Sequence, residues 1–283
     1  MNSKIPKRII QTSRSRDLSL FEKAVAANIR LLNPDFEYRH FDDKAVEEFI
    51  DGEFPEYRQV FDSFTVPIQK YDFFRYLAIY RLGGFYFDTD VLLASNLSDL
   101  LHHECIFPFE AITTNAFLRE HCNMDWELGN YSFGAVAGHP FLKAIIDNCL
   151  KAQNDAEWAH PMLRALPRLF RDEYHVIATT GPWLVSRTLA EFSEAAKIKV
   201  LFPDDVCDQR CWNRFGDFGI HLMTGSWRRP KRYLKRRIQG YWELFLLKRV
   251  MKESRKLGKE RTLPFKRQHA DSELSLGKLP TTT

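Results

Sequence analysis

Nowhere does the sequence carry an apolar run approaching the ~18 residues that a bilayer-crossing helix needs, so no spanning segment is expected. The opening Met1-Asn-Ser-Lys-Ile-Pro-Lys-Arg is charged and has no apolar centre, so the sequence predicts no secretory signal peptide. Cysteine is scarce. The five residues, at 105, 122, 149, 207 and 211, form no CxxC pair. That odd, scattered set argues against a disulfide framework and predicts reduced thiols in a cytoplasmic protein. Cys207 and Cys211 have no matching second pair, which argues against a cysteine metal site. No internal repeat is present. With 45% hydrophobic and 28% charged residues, the composition excludes collagen-like, coiled-coil and wholly disordered chains.

What remains is 283 residues, enough for one large α/β domain with a substantial core. The net charge of +4 is unevenly placed. Residues 228–267 hold 16 Lys/Arg against three Glu, a local +13, whereas residues 1–227 sum to −8 and residues 268–283 to −1. An acidic body with a basic arm implies two functional parts. The expected division is a domain over 1–227, a basic amphipathic helical extension over 228–267 and a disordered tail over 268–283.

The pattern predicts a strand from Ile5, a helix over 18–32 closed by Asn33-Pro34, a strand over 36–41 and a helix over 44–51. That alternation opens a nucleotide-binding α/β sheet. Residues 66–82 read as a strong helix ended by Gly83-Gly84, followed by the strand Phe85-Tyr86-Phe87 and then Asp88-Thr89-Asp90 and Val91-Leu92-Leu93. Helices are expected over 139–152 and 161–171 and from Pro182, with short strands at Val200-Leu201-Phe202 and Gly219–Thr224.

Asp88 and Asp90 follow an aromatic strand. Carboxylates at i and i+2 of a continuing strand point to opposite faces, so they converge only if the chain turns there. The carboxyl edge of such a sheet is where ligands bind. Paired carboxylates there suit a hard divalent cation that also holds a diphosphate and neutralises charge on a leaving group. Most isolated Asp-x-Asp pairs are surface loops, so the context decides. Asp72 and Arg75 stand at i, i+3 and share a helix face with Gln69, opposite Phe74, Leu77, Ala78 and Leu82. Spacing alone allows either a surface ion pair worth ~0.3 kcal/mol or a site in which Asp72 accepts sugar hydroxyls and Arg75 faces a sugar or phosphate oxygen.

The stretch Gln69-Lys-Tyr-Asp-Phe-Phe-Arg-Tyr-Leu-Ala-Ile-Tyr-Arg-Leu-Gly-Gly-Phe-Tyr-Phe-Asp-Thr-Asp90 closely resembles the DXD region of family-32 glycosyltransferases. That group includes yeast initiating mannosyltransferases, bacterial capsule and lipopolysaccharide sugar transferases and, through a shared core, the large glucosylating toxins. The signature pairs an sDxxR helix with GGxYxDxD, and this chain departs from it at Tyr71, where a small residue is usual. Ile5-Pro-Lys-Arg-Ile-Ile-Gln-Thr12 resembles the family's IPKxIHQxW start, with Ile10 in place of His and Ser13 in place of Trp. Asn130-Tyr-Ser-Phe-Gly-Ala-Val-Ala-Gly-His139-Pro-Phe, Thr180-Gly-Pro and His221-Leu-Met-Thr-Gly-Ser226-Trp227 resemble further, shorter family pieces.

The resemblance implies a GT-A fold, Rossmann-like with a mixed central sheet flanked by helices. It also implies a nucleotide-diphosphate sugar donor, Mn²⁺ or Mg²⁺, and retention of anomeric configuration. Carried onto this chain, it makes Asp72, Arg75, Asp88 and Asp90 the catalytic set. Asp88, Asp90 and His221, or Ser226 in place of His221, would hold the metal. Asp72, Arg75, Gly84, Tyr86, Asp88, Asn130 and Trp227 would contact the donor. The residues alone leave His221 and Trp227 equally open to core packing, Asn130 to a turn and His139 to a helix cap. No nucleophile is evident, and Asp88 and Asp90 sit together on one turn rather than flanking a scissile bond as in a glycosidase.

Residues 228–237 hold seven Lys/Arg, followed by the aromatic, apolar Ile238–Met251. Such a segment, over 228–252, reads as an anionic-membrane anchor or as a terminal helix packed on the domain. The acidic body and the lack of any nucleic-acid motif argue against RNA as partner. The expectation is a sugar transferase of surface polysaccharide synthesis, peripheral on the inner face of the cell membrane. It would use a UDP-sugar first or GDP-mannose second, and a glycan or lipid-linked glycan as acceptor. The alternatives are an inactive scaffold of the same fold and a peripheral membrane or nucleic-acid module acting through the arm.

Overall fold

The computed structural model describes residues 4–224, apart from 165, and 238–250, apart from 239 and 243. Ser226, Trp227, the basic stretch 228–237 and the tail 268–283 lie outside the described residues. The elements run β1 (Arg8–Thr12), α1 (Leu20–Leu32), β2 (Glu37–Phe41), α2 (Asp43–Glu53), α3 (Arg58–Ser63) and α4 (Pro67–Leu82). Next come β3 (Gly84–Phe87), β4 (Val91–Leu93), β5 (Cys105–Ile112), α5 (Ala116–Glu120), β6 (Trp126–Leu128) and β7 (Ser132–Ala135). The described domain closes with α6 (Pro140–Asn154), α7 (Ala156–Arg164), α8 (Arg171–Thr179), α9 (Pro182–Glu191), β8 (Ile198–Leu201) and β9 (Gly219–His221).

β1 begins at Arg8 rather than Ile5. The amides of Lys4 and Ile5 instead bond the Leu101 carbonyl (2.7 and 3.0 Å), and Pro6 has no amide to offer a ladder. α1 starts on a capping box. Ser19 Oγ accepts from the Glu22 amide (3.2 Å) and Glu22 Oε2 accepts from the Ser19 amide (2.8 Å). The helix expected over 161–171 is replaced by two, α7 and α8, separated by Pro167 and a 3₁₀ turn over Arg168–Phe170. Proline ends a helix because it lacks a donor and restricts the residue before it.

The main sheet runs β2-β1-β3-β7-β5-β6, with β8 also paired to β5. β1 pairs in parallel with β2 and β3, and β5 with β8; β7 runs antiparallel to both β3 and β5. This is the mixed sheet expected of a GT-A fold. Alternate side chains serve opposite faces. Ile10, Tyr86 and Phe107 join α4, α6 and α9 in the larger core, while Ile9, Phe85, Phe87 and Ile106 join α1 in the smaller one. Both faces are therefore covered by helices. The carboxyl end of β3 opens into a second, two-stranded sheet of β4 and β9. The described residues of 238–250 are helical, and Trp242, Leu247 and Val250 pack on the larger core.

Candidate active site

α4 carries the first half of the site. It enters on Pro67 and leaves on Gly83, whose positive φ of 64° turns the chain into β3. It is buried almost all round, so its polar residues are sealed between sheet and helices rather than displayed on a surface face. Gln69 does not face the carboxylates. Its Oε1 accepts from the Val66 amide (3.1 Å) and its Nε2 donates to Thr179 Oγ1 (2.9 Å), which ties α4 to the end of α8.

Asp72 and Arg75 are both buried and form an ion pair (Nη2–Oδ1 3.1 Å). Thr180 Oγ1 donates to Asp72 Oδ2 (2.8 Å), and Asn130 Nδ2 donates to Asp72 Oδ1 (3.1 Å) and to the Tyr76 hydroxyl (2.9 Å). Tyr76 in turn donates to the Thr180 carbonyl (2.7 Å). Burial pushes the Asp72 carboxyl up to about 6 against the pull of Arg75, Thr180 and Asn130. Arg75 reaches on to Asp88 (Nη2–Oδ1 3.2 Å), donates from Nη1 to the Asn130 carbonyl (2.7 Å) and lies over the Tyr86 ring (4.7 Å). One guanidinium thus joins two carboxylates. Its Nε is buried without a hydrogen-bond partner among the described residues.

After β3 the chain turns. The Val91 amide bonds the Asp88 carbonyl (3.1 Å), the Gln11 side chain holds the same oxygen (3.1 Å), and the Asp88 amide bonds the Tyr131 carbonyl (2.8 Å). The turn brings Asp88 and Asp90 to one side. Tyr86, two residues back, donates to Asp88 Oδ1 (2.8 Å) and meets Thr12 Oγ1 (3.0 Å). Burial raises the Asp88 carboxyl above its ordinary range, with Arg75 opposing.

β9 supplies the third group. His221 pairs with Val91 across the small sheet, and its Nε2 lies 3.2 Å from Asp90 Oδ1. Thr224 closes the other Asp90 oxygen through its amide (2.9 Å) and hydroxyl (2.8 Å). Burial works against both ions. Even so, the His221 hydrogen bond and charge, with Thr224, hold the Asp90 carboxyl at about 2, while Asp90 and Asp88 raise the His221 imidazole above its usual value. Tyr131 stacks on the imidazole (4.3 Å between centroids, 20° between planes) and donates to the Arg214 carbonyl (2.9 Å). His221 Nδ1 is buried without a partner among the described residues.

One ligand atom from each of Asp88, Asp90 and His221 lies within 4.8 Å of the others, and these three are the metal-sized cluster among the described residues. Two hard carboxylates with one imidazole fit Mn²⁺ or Mg²⁺, so the chemistry of the donor set is compatible with the implied metal. At this turn such an ion would supply positive charge against a diphosphate.

Several residues named from sequence lie elsewhere. Gly84 sits at the opposite end of β3 from Asp88, where a Cβ would meet the Arg8 carbonyl oxygen at 2.6 Å, so its lack of a side chain lets β1 pack closely on β3. His139 caps α6, its Nδ1 accepting from the Phe141 amide (3.2 Å). Tyr71 bonds Asp43 of α2, and Ser13 bonds His40 (2.9 Å). Cys207 and Cys211 form no disulfide among the described residues. The sequence reading gave no role to Tyr76, Thr180, Tyr131 or Thr224. Tyr76 stands at i+4 from Asp72, so its face was readable; Thr180 is 108 residues away and meets Asp72 only in the fold.

Residues 20–107 match the family described as "Glycosyltransferase sugar-binding region containing DXD motif". The chain is similar to inositol phosphoceramide mannosyltransferase 3 of Schizosaccharomyces pombe, 30% identical over 213 residues, covering 71% of this chain and 51% of that one. It is also similar to a mannosyl phosphorylinositol ceramide synthase of Saccharomyces cerevisiae, 31% identical, covering 64% of this chain and 41% of that one. The chain thus spans about half the length of these curated relatives. Among solved structures it resembles the PaToxG glycosyltransferase, with a TM-score of 0.47 at 16% identity over 68% of this chain and 71% of that one. The turn with Asp88 and Asp90 lies inside the region matched by that family.

Proposed function

We propose that this chain, built around a DXD-containing glycosyltransferase sugar-binding region, moves a hexose from a nucleoside-diphosphate sugar to a hydroxyl of a glycan or lipid-linked glycan. One observation carries the reading. An Asp72–Arg75–Asp88 ion triad, buried at Asp72 and Arg75 and half-buried at Asp88, abuts an Asp90–His221 pair, and Asp88, Asp90 and His221 converge to within 4.8 Å. Asp88, Asp90 and His221 are the residues that would hold Mn²⁺ or Mg²⁺. Mannose is the sugar named in the curated relatives, an inositol phosphoceramide mannosyltransferase and a mannosyl phosphorylinositol ceramide synthase, and it is the first sugar to test here.

In this reading Asp72 accepts hydroxyl hydrogens of the sugar. Its carboxylate already uses Thr180 and Asn130 as donors and keeps Arg75 as counter-ion, so its geometry is set before substrate arrives. Arg75 brings a buried N–H with no acceptor among the described residues, and such a donor is satisfied by a sugar or phosphate oxygen. Tyr86 and Gln11 hold the Asp88 turn, and Thr224 and Tyr131 hold Asp90 and His221. Catalysis is then mainly positioning and charge stabilisation, with retention of configuration.

The test is transfer or slow donor hydrolysis with GDP-mannose and a panel of UDP-sugars, with and without Mn²⁺. Cation-dependent turnover is expected with one donor, and Asp90→Asn is expected to lower it by about a hundredfold or more with the melting temperature retained. Unchanged turnover in that variant, or none with any donor in the wild type, contradicts the proposal. The second outcome favours the scaffold reading.

A further inference from the structure

The helix over 238–250 divides its apolar residues between two directions. Trp242, Leu247 and Val250 pack on the larger core, Trp242 against Phe170 at 5.4 Å between ring centroids. That fixes the helix on the domain. Its other side faces outward among the described residues: Ile238 is 49% exposed, Tyr241 65% and Phe245 63%, with Leu244 exposed beside them. Leu169, next to the Phe170 that receives Trp242, is 56% exposed. A solvated helix ordinarily turns polar residues outward. Exposed aromatic and aliphatic groups gathered on one element mark a binding surface.

The charge pattern names the partner. Residues 228–237 carry seven Lys/Arg, and Lys248, Arg249, Lys252, Arg255 and Lys256 follow within or just beyond the helix. A second copy of the chain would set one +13 segment against another, which repulsion opposes. Single-stranded nucleic acid would stack on Tyr241 and Phe245 but has no use for Ile238 and Leu244. A bilayer surface with anionic headgroups uses every group. The aromatics suit the headgroup level, the aliphatics reach the acyl boundary, and the lysines and arginines meet lipid phosphates.

We propose that the outward face of the 238–250 helix, with Ile238, Tyr241, Leu244 and Phe245, is a docking surface for an anionic membrane, held rigidly to the domain through Trp242, Leu247 and Val250. The inference does not depend on the transfer reaction. It goes beyond the basic run seen in sequence, because it separates the residues that hold the helix from those that meet lipid.

The test uses the full chain and sedimentation with phosphatidylcholine vesicles, with and without about a third phosphatidylserine. The wild type is expected to bind the anionic vesicles at least about tenfold more tightly than the neutral ones, and to lose that binding in high salt. Tyr241→Ser combined with Phe245→Ser is expected to weaken anionic-vesicle binding by about tenfold or more at an unchanged melting temperature. Equal binding to both vesicle types overturns the proposal, as does binding by the double variant equal to wild type. A wild-type dimer that the double variant turns into a monomer would also overturn it, because the face would then be a contact between copies.

Discussion

Asp72 is gripped by Arg75, Thr180 and Asn130, yet burial lifts its carboxyl to about 6. In the unfolded chain the same group titrates near 3.8. The folded state therefore binds the proton more tightly. The contribution of this group to stability is present in full below about pH 4 and is lost as pH rises through 6. Asp72→Asn removes that titration. We expect the stability of Asp72→Asn, relative to wild type, to improve from about pH 4 to about pH 6 in thermal melts and to level off above that. Donor binding by the wild type should weaken below pH 6, as the carboxylate is protonated and loses acceptor capacity, while the variant binds weakly and without that dependence. A stability difference that stays flat across the range would show that Asp72 does not titrate there.

At the level of elements, the local signals were strong where one element suffices. The Ser19–Glu22 box starts α1, Pro67 and Gly83 bound α4, and Pro182 opens α9 as its sequence position predicts. The signals failed where tertiary contacts decide. β6 and β7 are short, and β5, β6 and β7 are all almost wholly buried, so they carry no alternating pattern. The amphipathic reading of α4 also failed, since it is enclosed on both sides. Gly84 illustrates the same point. Motif resemblance assigned it to the donor, whereas its φ of 109° and the Arg8 carbonyl 2.6 Å from any Cβ give it a packing reason of its own between β1 and β3. Gly84→Ala should cost about 1–3 kcal/mol in denaturant unfolding, while the folded fraction binds nucleoside diphosphate and Mn²⁺ as wild type does. Loss of ligand affinity with unchanged stability would return Gly84 to the site.

Across the whole molecule, the site joins pieces from the entire described domain. Gln11 and Tyr86 come from adjacent parallel strands, Asp72 and Arg75 from α4, Asn130 and Tyr131 from the β6–β7 link, Thr180 from the end of α8, His221 from the small sheet and Thr224 from the segment just after it. Asp72, Arg75, Asp88 and Asp90 were legible because all four lie within 19 consecutive residues, where helix and strand periods fix their relative placement. Tyr76 shares their helix and its face was readable, but Thr180, Tyr131 and Thr224 were not legible, because they meet the site through separations that only the fold supplies. The basic arm divides likewise: its charge was plain in sequence, but which of its aromatics turn inward required the packed core.

The central claim is that Asp88, Asp90 and His221 together grip a divalent cation that carries the donor diphosphate. Its most direct test is a titration of the full chain with Mn²⁺ followed by electron paramagnetic resonance, alone and with GDP or UDP. One bound ion per chain is expected, tightened by the nucleotide, and lost in Asp90→Asn and in His221→Ala with both variants still folded. Binding of Mn²⁺ by both variants with wild-type affinity would place the cation elsewhere and contradict the account.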